Sequence, residues 1–357
     1  MIVKNEEPVL KRCLSCASRF ADELIVVDTG SSDRSMEIAK KFTPYVYSHP
    51  WRNSFAEARN YSYSKATGDY IMWLDADDVV TKDNIARFNA LKAEETDADV
   101  IFAVYTEYAK SGLTFSSLRN RIIKKSVFKG WQFDVHESIP LAPEWKQITR
   151  TDIEILHKKE HVNEPQRNMD IFQQRLETNK HLEPYEKATL IMEYSLRGET
   201  EKALSLFCEL FPSDTSDSNR LFAFSYLSDA LMHAKRWEDC LNIIEEMEKD
   251  TEPMAKMIFA KARCVYALGD EKRAEGLYRS AIATEDDILT HGFLLTGYND
   301  YYPYLRLAWI MEKKGKTREA LRLLKCAGKA YPKAGEWKKL RRIVIADSVS
   351  SAIRSRR

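Results

Sequence analysis

No apolar run in this 357-residue sequence approaches the roughly 20 residues that a membrane-spanning helix needs. Net charge is almost absent as well. Lys+Arg 55 against Asp+Glu 54 leaves +1, which gives no global pull toward nucleic acid or an anionic membrane, so any phosphate site must be local. The opening "MIVKNEEPVLKR" is charged at once and lacks the apolar core of a signal peptide. The six cysteines are scattered, and only Cys13-Leu-Ser-Cys16 has a redox-like spacing. That pair lies in a helical stretch with no second pair to complete a zinc site, so the thiols read as reduced and structural in a cytoplasmic protein.

What remains is a globular chain, 44% hydrophobic and 31% charged, long enough for two domains. The first 140 residues alternate strand-like runs ("MIV", "ELIVVD", "YVYSH", "DYIMWL") with helical ones ("EPVLKRCLSCASRF", "SSDRSMEIAKKF", "SFAEARNYSYSKA"). That rhythm predicts a mostly parallel, Rossmann-like α/β sheet with helices on both faces. Ligands then belong at the carboxyl ends of the strands, where Asp28 and Asp75 fall.

After about residue 183 strand signals vanish. Gly198-Glu-Thr-Glu-Lys-Ala203, Gly269-Asp-Glu-Lys-Arg-Ala274 and Gly315-Lys-Thr-Arg-Glu-Ala320 repeat a glycine with alanine five residues on, and Lys235-Arg-Trp-Glu-Asp-Cys240 is a degenerate copy. The starts lie 37, 34 and 46 residues apart, the last gap holding an insert around "LTHGFLLTGYND". A period near 34 with a small residue at a fixed offset resembles tetratricopeptide repeats. The expected domains are 1–150 (α/β), 151–184 (connection), 185–335 (all-α tetratricopeptide-like repeats) and 336–357 (C-terminal helix or tail). The aromatics Phe293, Tyr298, Tyr301, Tyr302 and Tyr304 are expected to pack the core of the repeats or a homodimer interface.

The stretch "WLDADD" places three carboxylates at the tip of an apolar run. Asp75-Ala76-Asp77 is a D-x-D, and alternation along an extended backbone would put both carboxylates on one side, as a hard cation such as Mg²⁺ or Mn²⁺ requires. Alone this motif is weak, and a solvated turn is the plain alternative. It comes, however, in an ordered set: Asn5-Glu6, then Val26-Val27-Asp28-Thr29-Gly30-Ser31-Ser32-Asp33, then Ala58-Arg59-Asn60, then the D-x-D.

Over residues 1–140 that set resembles family 2 glycosyltransferases of the GT-A fold. The resemblance implies a UDP-sugar donor and a divalent metal. It makes Asp28 the carboxylate that accepts from the base and Arg59 a nucleotide-side cation. By the same resemblance Asp75 is the residue expected near ribose and metal, and Asp77 the expected metal ligand. Asn5 and Glu6 complete the donor side, and Lys4 assists the phosphates or is merely solvated. Against these stand a helix-cap acid for Asp28 and a surface ion pair for Arg59. The first strand is cut short relative to the family, which leaves a weakened edge or a truncated start as two readings.

Trp131-Gln-Phe-Asp-Val-His136-Glu137 resembles the "W-x-G-x-V-H-E" of relatives with appended helical repeats, without its glycine. His136 is then a further metal or diphosphate ligand, or a packed histidine. Glu137 is the candidate general base, with Asp134 or a structural Glu137 as alternatives. Arg121, with Arg119 beside it, is placed against the leaving diphosphate, or in a solvated basic turn. His157 and Arg167-Asn168 fall where relatives show "H-x-G-Y" and "R-N", but "HKKEH" lacks the Gly-Tyr, so His157 receives no firm role.

The combined expectation is an inverting, metal-dependent transferase that moves a sugar from a UDP-sugar to a Cys or Ser of a peptide or protein, resembling the sublancin-type peptide S-glycosyltransferases. An envelope-glycan acceptor is the alternative within the class. A degenerate domain carrying a repeat-based binding surface is the alternative outside it. A nucleotidyltransferase is disfavoured, because no Gly-rich, Lys-bearing phosphate loop follows the first strand.

Overall fold

The structure is a computed structural model that describes residues 1–94, 96–158, 166–178, 181–210 and 217–354. Lys159, Glu160 and His161 of "HKKEH" in the connection and the last three residues of the expected tail lie outside the described residues. The chain forms two compact units. One comprises Met1–Glu107 with Ser116–Glu186, and the other Tyr108–Phe115 with Lys187–Arg357.

The first unit begins β1 (Ile2–Val3), α1 (Glu7–Ala17), β2 (Val26–Asp28), α2 (Ser35–Ala39), β3 (Val46–Ser48), α3 (Phe55–Lys65) and β4 (Tyr70–Met72). It continues with β5 (Asp78–Val79), α4 (Lys82–Ala93), β6 (Val100–Tyr108), β7 (Thr114–Lys124), β8 (Gln147–His157) and α5 (Arg167–Thr178). The parallel expectation is met in the order β1-β2-β3, with Val3 opposite Asp28 and Asp28 opposite Ser48. The second sheet, β4-β7-β6-β8-β5, is mixed: β4 runs antiparallel to β7 and β5 antiparallel to β8, while β6 and β8 are parallel. The apolar runs that read as parallel strands leave direction open, because a strand covered on both faces looks the same in either sense.

One of these pairings and one helix set the site. Asp78 of β5 lies opposite His157, the last residue of β8, across 79 residues of sequence. Helix α3 is capped by Ser54, whose side chain accepts from the Glu57 N–H at 3.1 Å. Ala58 of α3 is buried at 1%, and Arg59 beside it points inward.

The second unit contains α6 (Pro184–Leu196, which begins in the first unit), α7 (Thr200–Leu210), α8 (Asp217–His233), α9 (Trp237–Met247), α10 (Ala255–Ala267) and α11 (Glu271–Ala283). After the insert, α12 (Ile288–His291) with β9 (Phe293–Leu295), come α13 (Tyr302–Lys313), α14 (Thr317–Ala330) and α15 (Glu336–Arg354). The repeat motif marks the turn inside each helix pair. Gly198, Gly269 and Gly315 have φ of 72°, 100° and 71°, and Lys235 of the degenerate copy takes the same left-handed conformation at 60°. Five residues on, Ala203, Cys240, Ala274 and Ala320 are each 0% exposed, so a small side chain lets the paired helices close. The insert aromatics pack inside this unit: Phe293 and Tyr301 are buried, and Tyr298 and Tyr302 stack around Phe259 at 5.5 and 5.9 Å.

Candidate active site

The D-x-D sits in a tight turn after β4, not on an extended strand. The Asp78 N–H donates to the Asp75 carbonyl at 3.1 Å, and the Asp75 N–H donates to Asp78 Oδ2 at 2.9 Å. Asp78, at 0% exposure, therefore shapes the loop. Its Oδ1 accepts from the Tyr105 hydroxyl at 2.9 Å, and Arg121 Nη1 approaches its Oδ2 at 3.5 Å. From the other side the Cys13 thiol donates to the Asp75 carbonyl at 3.2 Å, which explains a cysteine on α1.

This arrangement revises the part expected of Arg121. Its guanidinium is wholly buried, stacked over Trp73 at 3.5 Å and Tyr105 at 4.0 Å, and it does not line the cavity. It is a pillar beneath the acidic loop. Asp28 is likewise engaged in its own turn, and Asn5 with the loop that follows β2. Asp28 accepts from the N–H groups of Gly30 and Ser31 at 3.1 Å, and Asn5, at φ 57°, accepts from the Ser32 N–H at 2.8 Å.

A cavity of about 300 Å³ gathers the rest. Glu6, Arg59, Asp75, Asp77, His136, Glu137 and His157 all face it, so most of the residues singled out in the sequence converge. Arg59 lies at its centre, 7% exposed, with Nη2 donating to Asp75 Oδ1 at 2.8 Å and Nε donating to Glu137 Oε1. Trp73 and Trp131 flank it at 4.8 and 5.1 Å, a cation–π box that fixes the fork. Asn60, next in sequence, holds the Trp131 backbone by two bonds: it donates to the carbonyl at 3.0 Å and accepts from the N–H at 2.7 Å. The Ala-Arg-Asn motif thus ties the His136-Glu137 loop to the acidic turn. Sequence reading missed Asn60 in this part, and also the cavity walls Trp51 and Phe55, which carried no motif.

The imidazole nearest the acids is that of His157. Its Nδ1 lies 3.3 Å from Asp77 Oδ1 and 3.2 Å from Asp78 Oδ1. His136, expected beside Asp77, lines the cavity at φ 53° with its ring 6.2 Å from that of Phe172. Donor atoms of Asp75, Asp78 and His157 lie within 4.8 Å of one another, a carboxylate and imidazole set of the kind that can hold a divalent metal ion. Asp78 is already spent on the loop; of this set Asp75 and His157 line the cavity, and Asp77, outside the set but 3.3 Å from His157, lines it beside them.

The electrostatics follow from this crowding. Withdrawal from water would raise the Asp75 carboxyl, but Arg59 and Arg121 hold it down at about 2. Asp77 has no such partner and is pushed up by burial and by Asp75 and Asp78, though His157 pulls the other way. Burial, then Asp77 and Asp75, push Glu6 up to about 7. Burial alone would lower His157, yet its bond to Asp78 and the charges of Asp77 and Asp75 raise it.

Removing the central cation should be costly. Arg59→Met is expected to destabilise the first unit by about 3 kcal/mol at neutral pH, because it leaves the Glu137 and Asp75 carboxylates unpaired. Asp75 is depressed in the folded state, so its contribution is present above its unfolded pKa and lost as pH falls toward about 2. Urea unfolding should therefore show the gap between wild type and variant narrowing on acidification. A constant gap would mean that packing, and not charge, is what Arg59 supplies.

Residues 1–147 match the glycosyl transferase family 2 profile, and residues 189–211 and 222–251 match the PPR repeat profile. A TPR repeat-containing protein of Synechococcus elongatus is 32% identical over 140 residues, covering 39% of this chain and 34% of its own length. The SPbeta prophage-derived glycosyltransferase SunS of Bacillus subtilis is 36% identical over 86 residues, 24% of this chain and 20% of its own. Among solved structures, S. aureus TarS aligns with 79% of this chain and 50% of its own at 12% identity, with a TM-score of 0.35. The matches thus span about a third or less of these curated relatives. No helix among the described residues is long and apolar enough to cross a membrane. The chain carries a family 2 glycosyltransferase domain at residues 1–147, followed by helical repeats.

Proposed function

We propose that the chain is an inverting glycosyltransferase that moves a sugar from a UDP-sugar to a Cys or Ser of a peptide or protein with the help of Mg²⁺ or Mn²⁺. One observation carries the reading. A single cavity opens onto Asp75, Asp77 and His157 with Glu137 and Glu6 in the same wall. Metal-ligand chemistry and a candidate base therefore share one space.

A divalent cation held there would neutralise charge on the departing diphosphate. The protein's own groups do the rest. Arg59, pinned between two tryptophans, orients Asp75 and Glu137 and shields them from each other. Glu137 takes the acceptor proton as the nucleophile approaches the anomeric carbon from the face opposite the leaving group. The helical repeats support a polypeptide acceptor, since such arrays offer extended surfaces to extended partners.

The test is a panel of UDP-sugars with Mn²⁺. Slow release of UDP that EDTA stops and Mn²⁺ restores is expected for at least one sugar, with inverted anomeric configuration in the product. If no UDP-sugar is bound or hydrolysed, the donor assignment is wrong. Metal-independent release would remove the metal from the reading.

A further inference from the structure

On the nucleotide-sugar reading above, we propose that Arg167 is the cation that binds the donor's diphosphate and neutralises it as it leaves. With Arg121 buried under the acidic loop, that position needs another occupant. Several other basic groups in or near the cavity are committed or solvated. Arg59 is spent on Asp75 and Glu137, His157 on Asp77 and Asp78, and Lys4 is exposed.

Arg167, in the first turn of the 12-residue helix α5, faces the same cavity as Asp77 and His157. Its guanidinium lies over the Phe55 ring at 4.9 Å. That contact uses the face of the fork and leaves its N–H edge for a ligand. Its Nε is buried without a hydrogen-bond partner, and among the described residues it enters no ion pair. A buried donor left unmet is costly, so a ligand that meets it is favoured. Among the described residues no carboxylate of the cavity pairs with it, which leaves it open to an anion from outside. A planar fork matches two phosphate oxygens.

The wall that carries Arg167 is braced for the purpose. Phe55 meets Trp51 edge-on at 4.8 Å, the Trp51 indole N–H donates to Asn53 at 3.0 Å, and the Asn53 amide donates to Gln174 of α5 at 3.2 Å. The stack therefore returns to the helix that bears the arginine. In the transfer, the bond between the anomeric carbon and the β-phosphate oxygen breaks, and its electron pair leaves with the nucleoside diphosphate. The acceptor sulfur or oxygen bonds to that carbon, and its proton passes to a cavity carboxylate. Arg167 would meet the charge that appears on the departing oxygen.

Two measurements test this on the full chain. In the wild type, UDP with Mn²⁺ should shield Arg167 from phenylglyoxal, read by peptide mass mapping, and uridine should not. Arg167→Gln should weaken UDP binding by about tenfold to a hundredfold, the scale of a lost charge-assisted pair, while leaving uridine affinity unchanged. Added guanidinium should restore part of the turnover. If the wild type binds UDP yet Arg167 is modified at an undiminished rate, or if the variant binds UDP within about twofold of wild type, this inference is overturned and the donor reading stands. If the wild type binds no UDP at all, the donor reading fails and takes the inference with it. Should the variant not fold, the wild-type shielding decides.

Discussion

Asp77→Ala is expected to abolish sugar transfer and metal-dependent UDP binding while leaving the fold intact. The fold part follows from the bonds of the turn. The Asp77 carbonyl accepts from the Lys158 N–H at 3.2 Å and from Arg12 at 3.3 Å, and alanine keeps that carbonyl. Its neighbours Asp75 and Asp78 close the turn without the Asp77 side chain. Removing one carboxylate from a crowd of them also relieves repulsion, so stability should hold or rise slightly. The activity part follows from the ligand set, where Asp77 is the carboxylate not already claimed by a guanidinium. Losing a direct ligand removes several kcal/mol of charge stabilisation, which is about a thousandfold or more in rate.

Calorimetric titration of UDP with and without Mn²⁺ checks this. An unchanged metal-dependent affinity in the variant would sink the assignment. A pH dependence should accompany it. His157 holds its proton more tightly than an ordinary imidazole, so protons compete with the metal earlier on acidification than for a free histidine.

How much of this site could be read from the chain depends on how far apart its members lie in sequence. The repeat turns were legible because each is a local demand: a left-handed residue, then a small one five positions on. Even Lys235 obeys the first rule at φ 60°. The convergence of Arg59, Asp75, Asp77 and Glu137 was legible through motifs in a known order. What misled was direction within a buried structure. Arg121 carries a charge and sits near the motif, yet Trp73, Tyr105 and Asp78 make a buried socket for it, and no local pattern announces a socket built from three separate segments. His157 was undervalued for the same reason. Its place beside the acids is set by the register of β5 on β8, a long-range pairing, and the sequence around it departs from the family's spacing. Asp28 and Asn5 show the opposite case, where polar side chains that could serve a ligand are engaged with backbone N–H groups of the loop after β2.

Glu137→Gln is expected to keep donor affinity near wild type and to lower turnover by about a hundredfold or more, the scale of a general base. The substitution isolates charge from shape, because the glutamine carbonyl can still accept from Arg59 Nε. The same wall, however, also offers Glu6, which burial and the acids around it push up to about 7. The two assignments separate on three readouts. If Glu137 is the base, kcat falls, KM for the donor holds, and the acidic limb of the pH–rate profile flattens. If Glu137 only positions Arg59, KM rises and thermal stability drops while the pH profile keeps its shape. If turnover stays near normal, the proton goes elsewhere. Glu6→Gln should then remove a limb of the profile close to neutrality, and Asp134, whose backbone carbonyl anchors the Phe55 N–H at 2.8 Å, is the next carboxylate to replace.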